Sequence, residues 1–326
     1  MLSGISVICF ASCYAIAFGL ELVSLKYHFG WHRLVLVLVV VAGLVAHTAY
    51  LGYRAAQSAT APLTSPAEWL LLAAWVLAVL YLAATLYVPR TATGLLMLPL
   101  VLALIGMAHW ASDQPIAPER ASQFWGTTHG AVLLAGTVTV CVGFLAGLMY
   151  LLQSYSLKHG RSPAAGLPLP SLESLERVNS RSLSLSALLM GLGFASGLIL
   201  SGMKHTGEAG YVPWTDPIVL SLAAMLLWLV AAEVFRLVYP AARRGRKVAY
   251  LTLAAFLFLV ITLAAFVFVD SAHGGQPAEN RLYRRAFQRG LQSTSGCPWA
   301  DGSQLPADAK KAKITSLPCT AADYRS

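Results

Sequence analysis

Apolar residues run along this chain in eight long blocks separated by short polar stretches: residues 4–25, 33–53, 67–88, 92–111, 125–155, 182–203, 216–239 and 248–270. A helix needs roughly 20 mainly apolar residues to cross the hydrocarbon layer of a bilayer. No block alternates apolar and polar positions as a barrel strand does. Backbone groups in hydrocarbon must also be bonded within their own segment, so each block predicts a helix. The expected fold is all-α, a polytopic membrane bundle of about eight transmembrane helices over residues 1–274, followed by a polar tail, 275–326. The first block, in "MLSGISVICFASCYAIAFGLELVSL", lacks the basic start of a cleavable signal and is expected to be the first span. Small-residue spacings at Gly143-x-x-x-Gly147 and Gly193-x-x-x-Gly197 predict close helix packing. No internal repeat is visible.

The connectors give the bundle a direction. The odd-numbered ones hold Lys26, Arg33, Arg90, Lys158, Arg161, Arg177, Arg181, Arg243, Arg244, Arg246 and Lys247; the even-numbered ones hold Arg54, Arg120 and Lys204. Basic residues collect in cytoplasmic loops, so odd connectors are expected inside, with even connectors, both termini and the tail outside a cytoplasmic (inner) membrane. In the connector 156–181, "LPLPSLESLERVNSRS" places Ser171 as a helix N-cap and Glu173 in a first turn. Leu172, Leu175 and Val178 recur every three residues, which predicts either a short amphipathic helix on the inner face or a plain linker.

Composition agrees with the pattern. The chain is 57% hydrophobic and 11% charged, with a mean hydropathy of +0.64, whereas soluble domains carry about 25% charged residues. The net charge of +9 sits in connectors and tail, as topology signals do, and does not point to nucleic acid. Cys9, Cys13 and Cys141 read as small buried hydrophobes. Cys297 and Cys319, in the tail, are the one pair placed to form a disulfide. No C-x-x-C-H occurs, so the chain has no covalent haem attachment site of its own.

The histidines change the picture most. His28, His32 and His159 fall on the expected inner side, while His47, His109, His129, His205 and His273 belong to the outer half. His129 opens the fifth block, His273 closes the eighth, and His47 lies seven residues before Arg54, roughly 10 Å below the outer end of its helix. Ionisable groups at membrane depth are costly, which makes them functional candidates, and imidazole is a common iron ligand. A histidine at a helix end also serves simply as a hydrogen-bond partner of a carbonyl or headgroup. Between the sixth and seventh blocks, "GMKHTGEAGYVPWTDPIVL" concentrates Lys204, His205, Glu208, Tyr211, Trp214 and Asp216. A porphyrin needs axial ligands, flat apolar surface and polar partners for its propionates. Trp214, Tyr211 and Trp125 could supply surface, and Lys204 could meet a propionate. Asp216 could orient a ligand or, just before Pro217, cap the seventh helix.

Several stretches together resemble the cytochrome c assembly family, of the CcsA and HemX type, over about residues 30–275. "AHTAYLGYRAAQSATAPLTSPAEWLLLAAWVLAVLYL" is similar to its second and third spans at His47, Arg54, Pro62, Thr64 and Glu68. "LPSLESLERVNSRSLSLSALLMGLGFASGLIL" is similar to its inner connector and the glycine-rich span that follows. The resemblance implies a haem-handling membrane component of cytochrome c biogenesis. It implies haem b, bound non-covalently, at the outer face, with His129 and His273 as iron ligands. His205, Trp214, Asp216 and His47 are the further haem-binding candidates. The family's tryptophan-rich "WWD" loop is reduced here to Trp214, Asp216 and Pro217, and Ile218 stands where a lysine is usual. Glu233 and Arg236 occupy the span where some members carry an embedded histidine. Apocytochrome c, a second biogenesis subunit in the membrane and the lipid bilayer are the implied partners. The chain is expected to be an assembly and delivery factor rather than a complete synthase. The alternative is a HemX-like accessory or regulatory protein of haem metabolism without ligation activity.

Overall fold

A computed structural model describes residues 6–25, 31–57, 65–88, 93–111, 123–159, 169–202, 214–239 and 245–269. These form eight α-helices: α1 Val7–Ser24, α2 His32–Gln57, α3 Pro66–Tyr87, α4 Gly94–Trp110, α5 Gln123–Lys158, α6 Leu172–Gly202, α7 Pro217–Val238 and α8 Arg246–Phe268. Among the described residues there is no strand. Seven of the helices are long and apolar enough to cross a membrane, and α4, with 17 residues, falls just short. His205, His273, Lys204, Tyr211, Pro62, Thr64, Cys297, Cys319 and the tail lie outside the described residues.

The helix ends follow local chemistry. Ser65 caps α3 with a full capping box: its hydroxyl accepts from Glu68 N at 3.3 Å, and Glu68 Oε2 accepts from Ser65 N at 3.4 Å, with Pro66 in the first turn. Gly245, with φ +79°, lets the chain enter α8 through the left-handed region. Ser171 accepts from Ser174 N at 3.4 Å, the expected N-cap contact.

One expectation is corrected here. The segment from Leu172 forms no separate helix; it is the start of a continuous α6 of 31 residues, roughly 46 Å long. No proline interrupts it, and its buried stripe, Leu175, Asn179, Ser182, Leu183, Ser186, Met190 and Gly193, keeps helical spacing throughout. Val178, which a spacing of three would bury, is exposed, and Asn179 takes the inner position. A second correction concerns Cys9. The buried face of α1 runs through Phe10, Tyr14, Ala17 and Glu21, so Cys9 points outward and is exposed, while Cys141 is buried as expected.

The helices pack as two rings of four with the same connectivity. In the first, α1 packs on α2, α2 on α3, α3 on α4 and α4 back on α1; in the second, α5, α6, α7 and α8 close in the same order. The rings meet through α3 on α5 and α4 on α8, and α5 on α6 is the most extensive seam. The two rings share this order of contacts, while no repeat is visible in the residue pattern. Rows of exposed apolar side chains such as Leu34, Leu38 and Val45 on α2 and Leu227 and Leu237 on α7 face outward, as a lipid-facing surface requires. Exposed tryptophans lie near helix ends, Trp31 at the end of the basic connectors and Trp110, Trp125 and Trp214 at the opposite end, the usual position of interfacial anchors.

Buried polar groups stitch the rings. Near the basic connectors, Tyr81 donates to Glu21 Oε1 at 2.7 Å, and the carboxylate lies against Gly94 at the start of α4, a favourable place for negative charge. Arg236 donates to Glu233 Oε1 at 2.7 Å and to the hydroxyls of Ser180 and Ser184, clamping α7 on α6. The amide of Asn179 reaches α5 and α8 at once. Its nitrogen lies 2.8 Å from Thr252 Oγ1 and 3.0 Å from Gly143 O, and its oxygen 3.2 Å from Ala249 N. Gly143 and Gly147 face Ser182, Thr252 and Ala249, so this expected close-packing site is occupied by a polar contact between helices.

Candidate functional site

Of the histidines expected in the outer half, those that can be described, His47, His109 and His129, occupy the end of the bundle away from the basic connectors, or the layer just below it. His129 sits two turns into α5, half-buried against α6. Its Nδ1 lies 2.9 Å from Gly193 O and 3.0 Å from Ser196 Oγ, and Ser196 itself donates to Gly193 O at 2.7 Å. A carbonyl oxygen only accepts, so Nδ1 carries the hydrogen in this contact. In the neutral form of such a ring the lone pair falls on Nε2. The glycine spacing of α6 makes the approach possible: a methyl at Gly197 would stand 2.8 Å from His129 Cε1, and one at Gly193 would strike Leu133.

The neighbouring residue on α5 serves the other ring of helices. A methyl at Gly130 would stand 2.6 Å from Trp69 Cζ2, so the Trp69 indole rests directly on the α5 backbone beside His129. Trp69 follows Glu68, whose carboxylate accepts from Arg54 Nε at 3.1 Å, and Arg54 Nη1 donates to Tyr50 Oη at 3.4 Å. The polar residues of α2 therefore hold the start of α3, and the start of α3 places Trp69. Sequence reasoning missed Trp69 and Ser196, because each lies inside an apolar block, where only packing decides which way a side chain faces. The available signal was the pair His129-Gly130, a glycine directly after a candidate ligand.

His47 is placed differently. It is fully buried, stacked on Phe10 with ring centroids 4.1 Å apart and planes 5° from parallel. Tyr14 Oη lies 3.4 Å from its Nδ1, and its Nε2 has no hydrogen-bond partner among the described residues. In this arrangement α1 covers the ring, and no face is open to a flat macrocycle. The nearby apolar groove, about 400 Å³ between Val41, Leu44, Val45, Thr48, Ala49 and Leu82, does not include it.

Asp216 is the N-cap of α7: its Oδ1 accepts from Ile218 N at 2.9 Å, with Pro217 in the first turn, and it is buried. The capping role anticipated for it is seen. Trp214, two residues earlier, is 59% exposed. His109 ends α4, exposed, edge-on to Trp110 at 6.3 Å. Among the described residues, no three His, Cys, Asp or Glu side chains form a metal-holding group. The donor chemistry on offer is that of single imidazoles, as an axial ligand of a porphyrin iron requires. By that test His129 fits, with one ring nitrogen anchored and the other carrying the lone pair, and indole surface on the adjacent residue.

No curated protein matches the chain. A family model, Cytochrome C assembly protein, matches residues 64–272, from the connector before α3 to beyond the end of α8. The chain belongs to the cytochrome c assembly protein family, and its role lies in the biogenesis of cytochromes c.

Proposed function

We propose that this protein holds haem b non-covalently at the bundle end formed by the even connectors, and presents it to apocytochrome c together with a second membrane subunit. The reading puts that end on the outer side of the cytoplasmic membrane, as the eleven-to-three division of Lys and Arg requires. His129 and His273 are the proposed iron ligands. His205, Trp214 and Trp69 are the proposed surroundings of the macrocycle. His47 remains a candidate only for a state in which α1 has moved off its ring. When bound, haem supplies the iron and the vinyl carbons that cytochrome assembly joins to apocytochrome thiols. This chain's part is to orient one imidazole, offer aromatic surface and keep the site at the membrane boundary.

The observation that carries the reading is the anchoring of His129 through Nδ1 to Gly193 and Ser196, 2.9 and 3.0 Å away. A histidine serving only as a partner of a backbone carbonyl accounts for Nδ1. It does not account for Trp69 packed on the very next residue. The test is a visible spectrum of the full chain purified from haem-replete cells. A bis-histidine haem spectrum lost in the His129→Ala, His273→Ala double variant supports the proposal; a haem-free native preparation refutes it.

A second reading, an accessory or regulatory protein without ligation activity, draws on Asp216. The acidic residue of the loop is engaged by the α7 N-terminus, and Trp214 is the loop's single tryptophan. Haem binding without any stimulation of attachment to an apocytochrome thiol peptide, in membranes containing the partner subunit, would select this reading.

A further inference from the structure

We propose that α6 determines which nitrogen His129 presents, with Ser196 as a positioning residue and Gly197 as the space that seats the ring. The inference rests on the haem-presenting role of His129 for its function, but its geometry stands alone. Two acceptors on α6 face Nδ1. Gly193 O accepts only. Ser196 has already given its hydroxyl hydrogen to that same carbonyl, at 2.7 Å, so toward Nδ1, at 3.0 Å, its oxygen also accepts. Both contacts demand hydrogen on Nδ1, so the neutral imidazole carries its lone pair on Nε2.

Sterics fix the ring as firmly as the hydrogen bonds fix the tautomer. With Cε1 2.8 Å from where a methyl on Gly197 would stand, any side chain there pushes the imidazole off α6 and breaks both Nδ1 contacts. Acceptors behind a ligating histidine raise its basicity and hold its plane, and losing them typically costs ~10–100-fold in affinity. The structure therefore assigns one role to Gly193, Ser196 and Gly197 together, which is to aim an imidazole lone pair at an electron-pair acceptor, here the iron of haem. The same three residues give α6 a reason for its glycine spacing beyond close packing.

Nitrogen-15 spectra of the haem-free, histidine-labelled full chain test the tautomer directly. Hydrogen on Nδ1 of His129, assigned by comparison with the His129→Ala variant, is expected; hydrogen on Nε2 overturns the proposal. Hemin titration of the purified chain tests the consequence. Gly197→Ala is expected to weaken binding ~10–100-fold. Gly191→Ala, where the added methyl meets only Leu226 Cδ1 at 3.9 Å, should bind as the native chain does. If Gly197→Ala does not fold, Ser196→Ala replaces it, with weaker hemin binding expected and rescue by Ser196→Thr. Native affinity in both Gly197→Ala and Ser196→Ala overturns the positioning role. Native affinity in His129→Ala instead refutes the haem-ligand reading, while the nitrogen spectra still decide the tautomer.

Discussion

The contact between Arg54 and Glu68 makes the most exacting prediction about how the site end is held. Two groups of Glu68 are engaged: Oε1 with Arg54 Nε at 3.1 Å, and Oε2 with Ser65 N at 3.4 Å. Glu68→Gln keeps a capping-box residue but removes the charge, whereas Glu68→Ala removes both. Breaking a fully buried ion pair costs about 3–5 kcal/mol. Here the Glu68 side chain is 8% exposed but that of Arg54 is 26% exposed, so solvent relieves part of the cost, and about 2 kcal/mol is expected for Glu68→Gln. The reciprocal cap bond is long, which puts its share near the bottom of the range, about 0.5 kcal/mol more for Glu68→Ala. The pairing is isolated by a cycle with Arg54→Met, because the double variant Arg54→Met, Glu68→Gln removes both charges together. It should be clearly more stable than the two single losses added. Equilibrium unfolding of the purified chain in mixed dodecylmaltoside–SDS micelles measures all four forms. Strict additivity, with no coupling between the two positions, would refute the claim that this pair stitches α2 to α3.

Other changes test separate parts of the bundle. Asn179→Ala removes three contacts between helices; at about 0.6 kcal/mol for each such bond in a membrane protein, the same unfolding assay should show a loss near ~2 kcal/mol. Tyr81→Phe deletes the hydroxyl that meets Glu21 at 2.7 Å and should cost ~1 kcal/mol or more, seen as a lower unfolding midpoint. Asp216→Ala should cost about 1 kcal/mol as a lost N-cap and leave hemin affinity unchanged; a large fall in hemin affinity would show that the carboxylate does more than cap α7.

The helices were legible because lipid and helix periodicity write the same message: each apolar block became a helix, with ends moved by a few residues except at α6, which starts ten residues before its block. The caps at Ser171 and Asp216 were legible for a similar reason, since Ser or Asp beside a proline is local chemistry. What lay beyond the sequence was rotation, meaning which face of each helix turns inward. Cys9 and Phe10 are neighbours in an unbroken apolar block, and only packing decides that Phe10 covers His47 while Cys9 faces outward. The same uncertainty hid Trp69 among the apolar residues of α3. The continuous α6 was misjudged because a spacing of three drifts around a helix, and seven residues were too few to expose the drift.

The family match begins at residue 64, yet two of the helices that close the first ring, α1 and α2, precede it. Their contacts show what they contribute. Arg54 on α2, which also donates to Tyr50, engages Glu68; Glu68 completes the cap that starts α3; the next residue, Trp69, rests on Gly130; and the residue before Gly130 is His129, seated on α6. The links are contacts between helices and neighbours along the chain, so the position of the His129 imidazole depends on both rings. Two histidines of this end, His47 and His129, thus have opposite treatments. His47 has its ring face taken by Phe10 and an Nε2 that is buried without a partner among the described residues, an arrangement that costs about 1–3 kcal/mol and is retained only under the cover of α1. His129 has its Nδ1 satisfied twice by α6 and its lone pair on the other nitrogen. A bundle that merely needed polar contacts between helices would satisfy both rings. This one encloses the His47 imidazole and anchors that of His129 through Nδ1, where the two rings of helices meet.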